Sequence, residues 1–142
     1  MIIKQVSVFL ENKSGRLSEV TEILGEAGIN ISAFTIADTS DFGILRLIVS
    51  DPDKAKEILK QNNFSTQTTD VLLAKTSNEP GSLTRLLKTI NEGGSFIEYM
   101  YAFSMENDSA VIVIRPTDIQ KCINILQNHK EDFLVHDSKY LF

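Results

Sequence analysis

Two stretches of this chain repeat each other at a fixed distance, and that repeat limits what the chain can fold into. Glu11-Asn12-Lys13-Ser14-Gly15-Arg16-Leu17, followed by Gly28-Ile29-Asn30-Ile31, is matched by Ser77-Asn78-Glu79-Pro80-Gly81-Ser82-Leu83, followed by Gly93-Gly94-Ser95-Phe96-Ile97. Gly15 and Gly81, Leu17 and Leu83, and Gly28 and Gly94 each stand 66 residues apart. Self-similarity at a fixed period means copies of one structural unit, so the 142 residues read as two halves, 1–70 and 71–142. A unit of about 70 residues buries a modest core and is only marginally stable alone, which predicts that the halves pack together.

The hydrophobic pattern gives each half the same order of elements. Val6, Val8 and Leu10 alternate with Gln5 and Ser7, the period of a half-buried strand. Leu17, Val20, Leu24 and Ala27 then recur at helical spacing, with Glu19, Glu22 and Glu26 on the other side. Gly28 stands where a helix end takes a left-handed residue. Strands are expected over 30–37 and 44–49, joined by a turn at Asp38-Thr39-Ser40-Asp41. Asp51-Pro52-Asp53 opens a second helix, and a strand over 64–70 closes the half. The second half repeats this with strands over 71–76, 96–105, 110–115 and 133–139. Its helices are expected over 82–91 and from Pro116 onward, the turn between its middle strands being Glu106-Asn107-Asp108. No linker separates the halves. The order β-α-β-β-α-β places two helices on one face of an antiparallel sheet. The chain is therefore expected to be α+β, two tandem ferredoxin-like units packed together, a plan that by itself decides nothing about activity.

Composition removes several functions. A net charge of −5 does not suit a nucleic-acid binder, which needs a basic surface. The single cysteine, Cys122, excludes an internal disulfide and a multi-cysteine metal site, and its place in an apolar helical pattern reads as core packing. His129 and His136 have no partners at ligand spacing and read as surface or edge residues. No stretch resembles a signal peptide or reaches the roughly 18 apolar residues of a membrane helix, so a soluble cytoplasmic protein is expected. No phosphate loop, GxGxxG, Cys-x-x-Cys or nucleophile beside a base is present. No catalytic residue, metal or cofactor is expected.

The loop before the first helix of each half carries the chemistry. Gly15 and Gly81 let the backbone approach a ligand. The first amides of the following helix lack intrahelical partners and lie at the positive end of its dipole, which favours a carboxylate. Asn12 and Asn30 add side-chain amides that donate to a carboxylate or accept from an ammonium. The same residues are also ordinary caps: Asn, Ser and Gly before a helix and Gly after it need no ligand to explain them.

With this strand order, Asn12-Lys13-Ser14-Gly15-Arg16-Leu17 and Gly28-Ile29-Asn30-Ile31 resemble an ACT domain, a small regulatory module attached to enzymes of amino-acid metabolism. Asn78-Glu79-Pro80-Gly81-Ser82-Leu83 resembles the Asn-x-Pro-Gly-x-Leu loop of that family more closely than the first copy does. The resemblance covers the whole chain as two tandem copies. It implies pairing of domains and binding of a free amino acid at the interface between them, through the loop before the first helix and the start of the second strand. Carried over, the ligand-binding residues are Asn12, Lys13, Ser14, Gly15, Arg16, Leu17, Asn30 and Ile31 in the first half. In the second half they are Asn78, Glu79, Gly81, Ser82 and Leu83.

Two departures matter. The loop proline is Ser14 in the first half, so that turn is less preset. At the position of Asn30 the second half has Phe96, which cannot hydrogen-bond a zwitterion, so the first half is expected to be the better site. Glu98, Tyr99, Met100 and Tyr101 lie on one strand, where sheet or interface packing is the reading and ligand lining the alternative. Arg46 and Arg115 in apolar strands are expected to pair with acids, contact with a ligand carboxylate being the alternative. The expected function is that of a non-catalytic regulatory protein that senses a free amino acid, forms a homodimer and modulates an enzyme of amino-acid metabolism. A ligand-free assembly module is the alternative, and an RNA-binding protein of the same strand order a remote one, given the acidic charge.

Overall fold

The computed structural model describes residues 1–11, 13–38 and 41–136. Its elements run β1 (Ile2–Glu11), α1 (Arg16–Glu26), β2 (Ile31–Asp38), β3 (Phe42–Val49), α2 (Pro52–Gln61) and β4 (Ser65–Ser77). They continue with α3 (Ser82–Glu92), β5 (Ile97–Met105), β6 (Ser109–Pro116) and α4 (Ile119–Gln127). Among the described residues the chain divides into two compact units, one of residues 4–69 and the other of residues 1–3 with 70–136. The strands expected over 64–70 and 71–76 are one strand of 13 residues, in keeping with the lack of any turn signal between them.

In the first unit the strands lie in the order β2-β3-β1-β4. β1 pairs antiparallel with β3, Val6 opposite Leu47 and Val8 opposite Leu45, so all four point to one face. That face meets Val20 and Leu24 of α1 and Ala55 and Leu59 of α2 in a single buried cluster. In the second unit the order is β4-β6-β5. Leu72 and Ala74 of β4 and Ile112 and Ile114 of β6 form the equivalent cluster with Leu86, Ile90, Cys122 and Leu126 of α3 and α4. Leu24 and Leu86 are fully buried, and truncating either to alanine is expected to cost about 2–5 kcal/mol.

The repeat is written in the backbone. Among the described residues the glycines with positive φ are Gly15 (86°), Gly28 (73°), Gly81 (87°) and Gly94 (82°), two pairs separated by the sequence period. Gly28 and Gly94 end α1 and α3 alike. Ile29 N–H donates to Leu24 O at 2.9 Å and Gly28 N–H to Gly25 O at 3.0 Å, and Ser95 to Ile90 at 3.2 Å and Gly94 to Asn91 at 3.0 Å. These paired bonds are the Schellman arrangement that satisfies the last carbonyls of a helix.

One expectation is corrected. Pro116 does not open the last helix: it ends β6 opposite Ile97, beyond the stretch of β6 that β4 pairs, where its missing N–H costs no ladder bond. The helix starts at Ile119 because the Asp118 carboxylate caps it, accepting from Lys121 N–H at 3.0 Å. Asp51 does the same for α2, accepting from Lys54 N–H at 3.0 Å. The strand expected over 133–139 is a single bridge from Leu134 to Ala74 among the described residues. Its residues 137–139, and Thr39 and Ser40 of the expected turn, lie outside them.

Candidate functional site

α3 has no side-chain cap on its first turn, and a polar cluster gathers there instead. Ser82, 1% exposed, shares a hydrogen bond of 2.6 Å with the Ser77 hydroxyl at the end of β4. Arg85 lies one turn further along the helix. Its Nη2 donates to Ser82 Oγ at 3.1 Å, to Ser77 Oγ at 3.2 Å and to Glu79 Oε1 at 3.3 Å. The Ser77 hydroxyl also donates to Glu79 Oε1 at 3.1 Å. Asn78 is held by its side chain, whose Nδ2 donates to Glu106 O at 2.8 Å in the β5–β6 turn.

A pocket of about 210 Å³ opens beside this cluster. Ser77, Asn78, Glu79 and Ser82 form its polar side, and Leu83, Met100, Ala102, Met105 and Ile112 supply most of a wall that is largely apolar. Four expected second-half residues, Asn78, Glu79, Ser82 and Leu83, thus border one cavity. The fifth, Gly81, supplies the left-handed turn that starts α3.

The first-half residues are arranged differently. Gly15 makes the same turn. Lys13 Nζ pairs with Glu11 at 2.8 Å, and Arg16 Nη1 with Glu19 at 3.0 Å. The Arg16 guanidinium lies over the Phe64 ring, 4.3 Å from its centroid, a cation–π contact. Lys13 holds the Glu11 carboxyl below its ordinary pKa, first by its hydrogen bond and then by its charge. Ser14 and Leu17 are exposed. Asn12 lies outside the described residues.

Asn30 and Ile31 do not join that loop within their unit. β1 ends with Glu11 opposite Phe42, and β2 ends with Asp38 opposite Gly43, while Ile31 pairs with Val49 at the far end of β3. α1 has 11 residues between the two places, about 16 Å at 1.5 Å per residue. The Asn30 backbone is fastened there to Ser50, donating to its hydroxyl and accepting from its amide, each at 2.9 Å. Phe96 occupies the matching end of the second unit, 64% exposed.

The remaining candidates fall into structural roles. Arg115 pairs with Glu98 at 3.6 Å and donates to Asp70 O at 2.8 Å, so the expected pairing with an acid is present. Cys122 is buried. Burial raises its thiol pKa, and the Ser95 hydroxyl works the other way, so no reactive thiolate is favoured. His129 accepts from Glu131 N–H at 3.1 Å, and His136 lies 3.1 Å from Asp132. Among the described residues no group of His, Cys, Asp and Glu is placed to hold a metal ion, and no helix is long and apolar enough to cross a membrane.

A family model described as an ACT domain pair matches residues 1–141. The chain belongs to this family. The structure of protein BT0572 from Bacteroides thetaiotaomicron superposes with a TM-score of 0.90 at 51% identity, over all of this ACT domain pair and 98% of that chain. The ligand-free regulatory subunit of aspartate kinase from Thermus thermophilus shares the fold, with a TM-score of 0.63 at 12% identity over 92% of this chain and 98% of that one. An acetolactate synthase small subunit of Buchnera aphidicola is 24% identical over 125 residues, 88% of this chain and 79% of its own length.

Sequence reasoning did not single out Ser77, Arg85, Ala102 or Met105 for this site. Ser77 and Arg85 flank the loop, and their signal was available: two hydroxyls and a guanidinium at a strand end and one helical turn later. Met100 and Tyr101, read first as sheet or interface residues, line the pocket. Ala102 and Met105 carry no local signal, because only the pairing of β5 with β6 brings them to the loop.

Proposed function

We propose that this ACT domain pair is a regulatory protein that binds a free amino acid at the loop preceding α3 and modulates an enzyme of amino-acid metabolism in the cytoplasm without catalysing a reaction itself. The observation that carries the reading is the pocket at Ser77–Leu83, where a polar rim meets an apolar wall. A free amino acid has the same two-sided chemistry. Its relatives, named as regulatory or small subunits, support a partner enzyme. The proposed site residues are Asn78, Glu79, Gly81, Ser82 and Leu83. The first-half set centred on Asn30 is a secondary site in this reading, because one unit holds its two parts at opposite ends of α1. Occupancy would shift the population of domain arrangements by as much as the ligand prefers one of them. A thermal-shift screen of the purified chain against the twenty amino acids tests this. Stabilisation that Ser82→Ala weakens is expected, and no stabilisation by any of them would sink the reading.

A second reading, assembly without a ligand, is favoured by the exposed apolar side chains on β2 and α1: Phe34 (65%), Ile36 (41%) and Leu17 (42%). β2 is the end strand of its unit, and an apolar end strand invites pairing. A homodimer is expected on either reading. Light scattering checks it, with Phe34→Glu expected to shift the protein toward monomer.

A further inference from the structure

Resting on the reading above, we infer that the pocket beside α3 selects amino acids by an aliphatic side chain of about three or four carbons. The selection comes from what the pocket offers beyond its rim. Met100 and Ala102 pair with Ile114 and Ile112, residues of the helix-covered core face, so their side chains point to that face. Leu83, in the first turn of α3, and Met105, at the end of β5, complete the apolar wall.

The polar side chains bordering the cavity are already engaged with one another or with backbone. Ser77 and Ser82 bond each other, Glu79 takes Arg85, and Asn78 takes the Glu106 carbonyl. They can rearrange toward the head group of a ligand at the rim. A hydroxyl, amide or charge carried past the rim would lie against Leu83, Met100 and Met105, which offer it no partner, and would lose part of its water, Leu83 and Met105 being themselves 42% and 60% exposed. A methylene there gains instead, up to about fourfold in affinity for each one fully buried. The size also bounds the ligand. A cavity of about 210 Å³ is about seven times the share of one water in the liquid, and below the roughly 300–1,000 Å³ of sites for drug-sized molecules. Methionine walls are adaptable, so valine, leucine, isoleucine and methionine fall within one class, and serine, lysine and glutamate fall outside it.

The test is calorimetry on the full chain with alanine, valine, leucine, threonine, serine, lysine and glutamate, repeated on Ala102→Leu. Ala102 is exposed in β5, and leucine is compatible with a strand, so the variant is expected to fold and to fill the cavity. Valine is expected to bind severalfold more tightly than alanine and than threonine, which matches valine in shape. Ala102→Leu is expected to lose at least tenfold in valine affinity, with an unchanged circular-dichroism spectrum. Tighter binding of serine, threonine, lysine or glutamate, weakened by Ser82→Ala, would overturn the aliphatic class and leave the amino-acid reading standing. Valine binding untouched by Ala102→Leu would put the ligand elsewhere and overturn the inference. Binding of none of these amino acids would remove both.

Discussion

The loop before α1 and the loop before α3 turn on glycines of nearly identical geometry, φ 86° at Gly15 and 87° at Gly81, and fill the space around that turn in different ways. At the positions 66 apart, Glu11 is replaced by Ser77, Lys13 by Glu79, Arg16 by Ser82 and Glu19 by Arg85. The first loop therefore closes on itself with two ion pairs and a guanidinium laid on Phe64. The second puts small hydroxyls, Ser77 and Ser82, at two of these positions and keeps one ion pair, Arg85 with Glu79, at the other two, and a cavity adjoins them. The glycines specify the turn, and the side chains at the helix start decide what the turn can do. A repeat can thus keep its fold in both copies while the chemistry of its loops diverges.

The same contrast appears at the other end of the two helices and gives the largest expected effect. The residue just after α1 is Ala27, and the one just after α3 is Gly93. A Cβ added at Gly93 would lie 2.6 Å from Ile125 Cδ1, although its φ of −74° suits any residue. Gly93→Ala is expected to destabilise by about 1–3 kcal/mol through overpacking alone. Urea unfolding would measure it, and Ile125→Val should recover part of the loss. No recovery would mean that the two residues are not coupled.

Next in size are the paired left-handed turns. Gly15→Ala and Gly81→Ala each force a Cβ into a conformation that costs about 1–2 kcal/mol. Restriction of the unfolded chain returns part of this. A net loss near 1 kcal/mol is expected in both, since neither Cβ meets an atom closer than 4.0 Å. The expected difference is functional: only Gly81→Ala should impair amino-acid binding by calorimetry. Equal impairment by Gly15→Ala would break the proposed division of labour between the loops.

Smaller again is the exchange of fillings. Arg16→Ala removes the stacking on Phe64 and a partly exposed ion pair, and is expected to cost about 0.5–1 kcal/mol. Ser82→Ala removes a buried hydroxyl bonded to Ser77 at 2.6 Å and is expected to cost about 1 kcal/mol. Thermal melts of the two variants should be similar, with ligand binding separating them.

Much of this was legible in the sequence. The glycine pairs, the alternation of Val6 and Val8, and the apolar spacing of α1 and α3 are local signals, and each produced the element it implied. Pro116 misled because proline suits both a helix start and the end of a strand, and only the Asp118 cap decides between them. Among the site residues, the loop from Asn78 to Leu83 could be read from its motif. Ala102 and Met105 could not, because they reach that loop through the pairing of β5 with β6. Asn30 drew weight in the sequence because the motif lists it beside the loop, while the length of α1 separates them in space within one unit.

The smallest expected effect isolates the charge difference between the loops. Lys13 holds the Glu11 carboxyl below its ordinary pKa, and the first loop is deprived of that pairing when the carboxylate protonates. A carboxyl whose folded pKa is depressed contributes stability that is fully present above its unfolded value and lost as pH falls through the folded one. The window therefore lies in acid, at and below the ordinary glutamate range of about 4. The second loop has Ser77 at this position, so this particular pair has no counterpart there. An NMR titration of Glu11 should give a midpoint below that of a free glutamate, and Lys13→Ala should move it upward. Salt should move it upward as well, because both partners face water. A midpoint unchanged by Lys13→Ala would show that the first loop is not closed by this pair, and the contrast with the second would then rest on Arg16 alone.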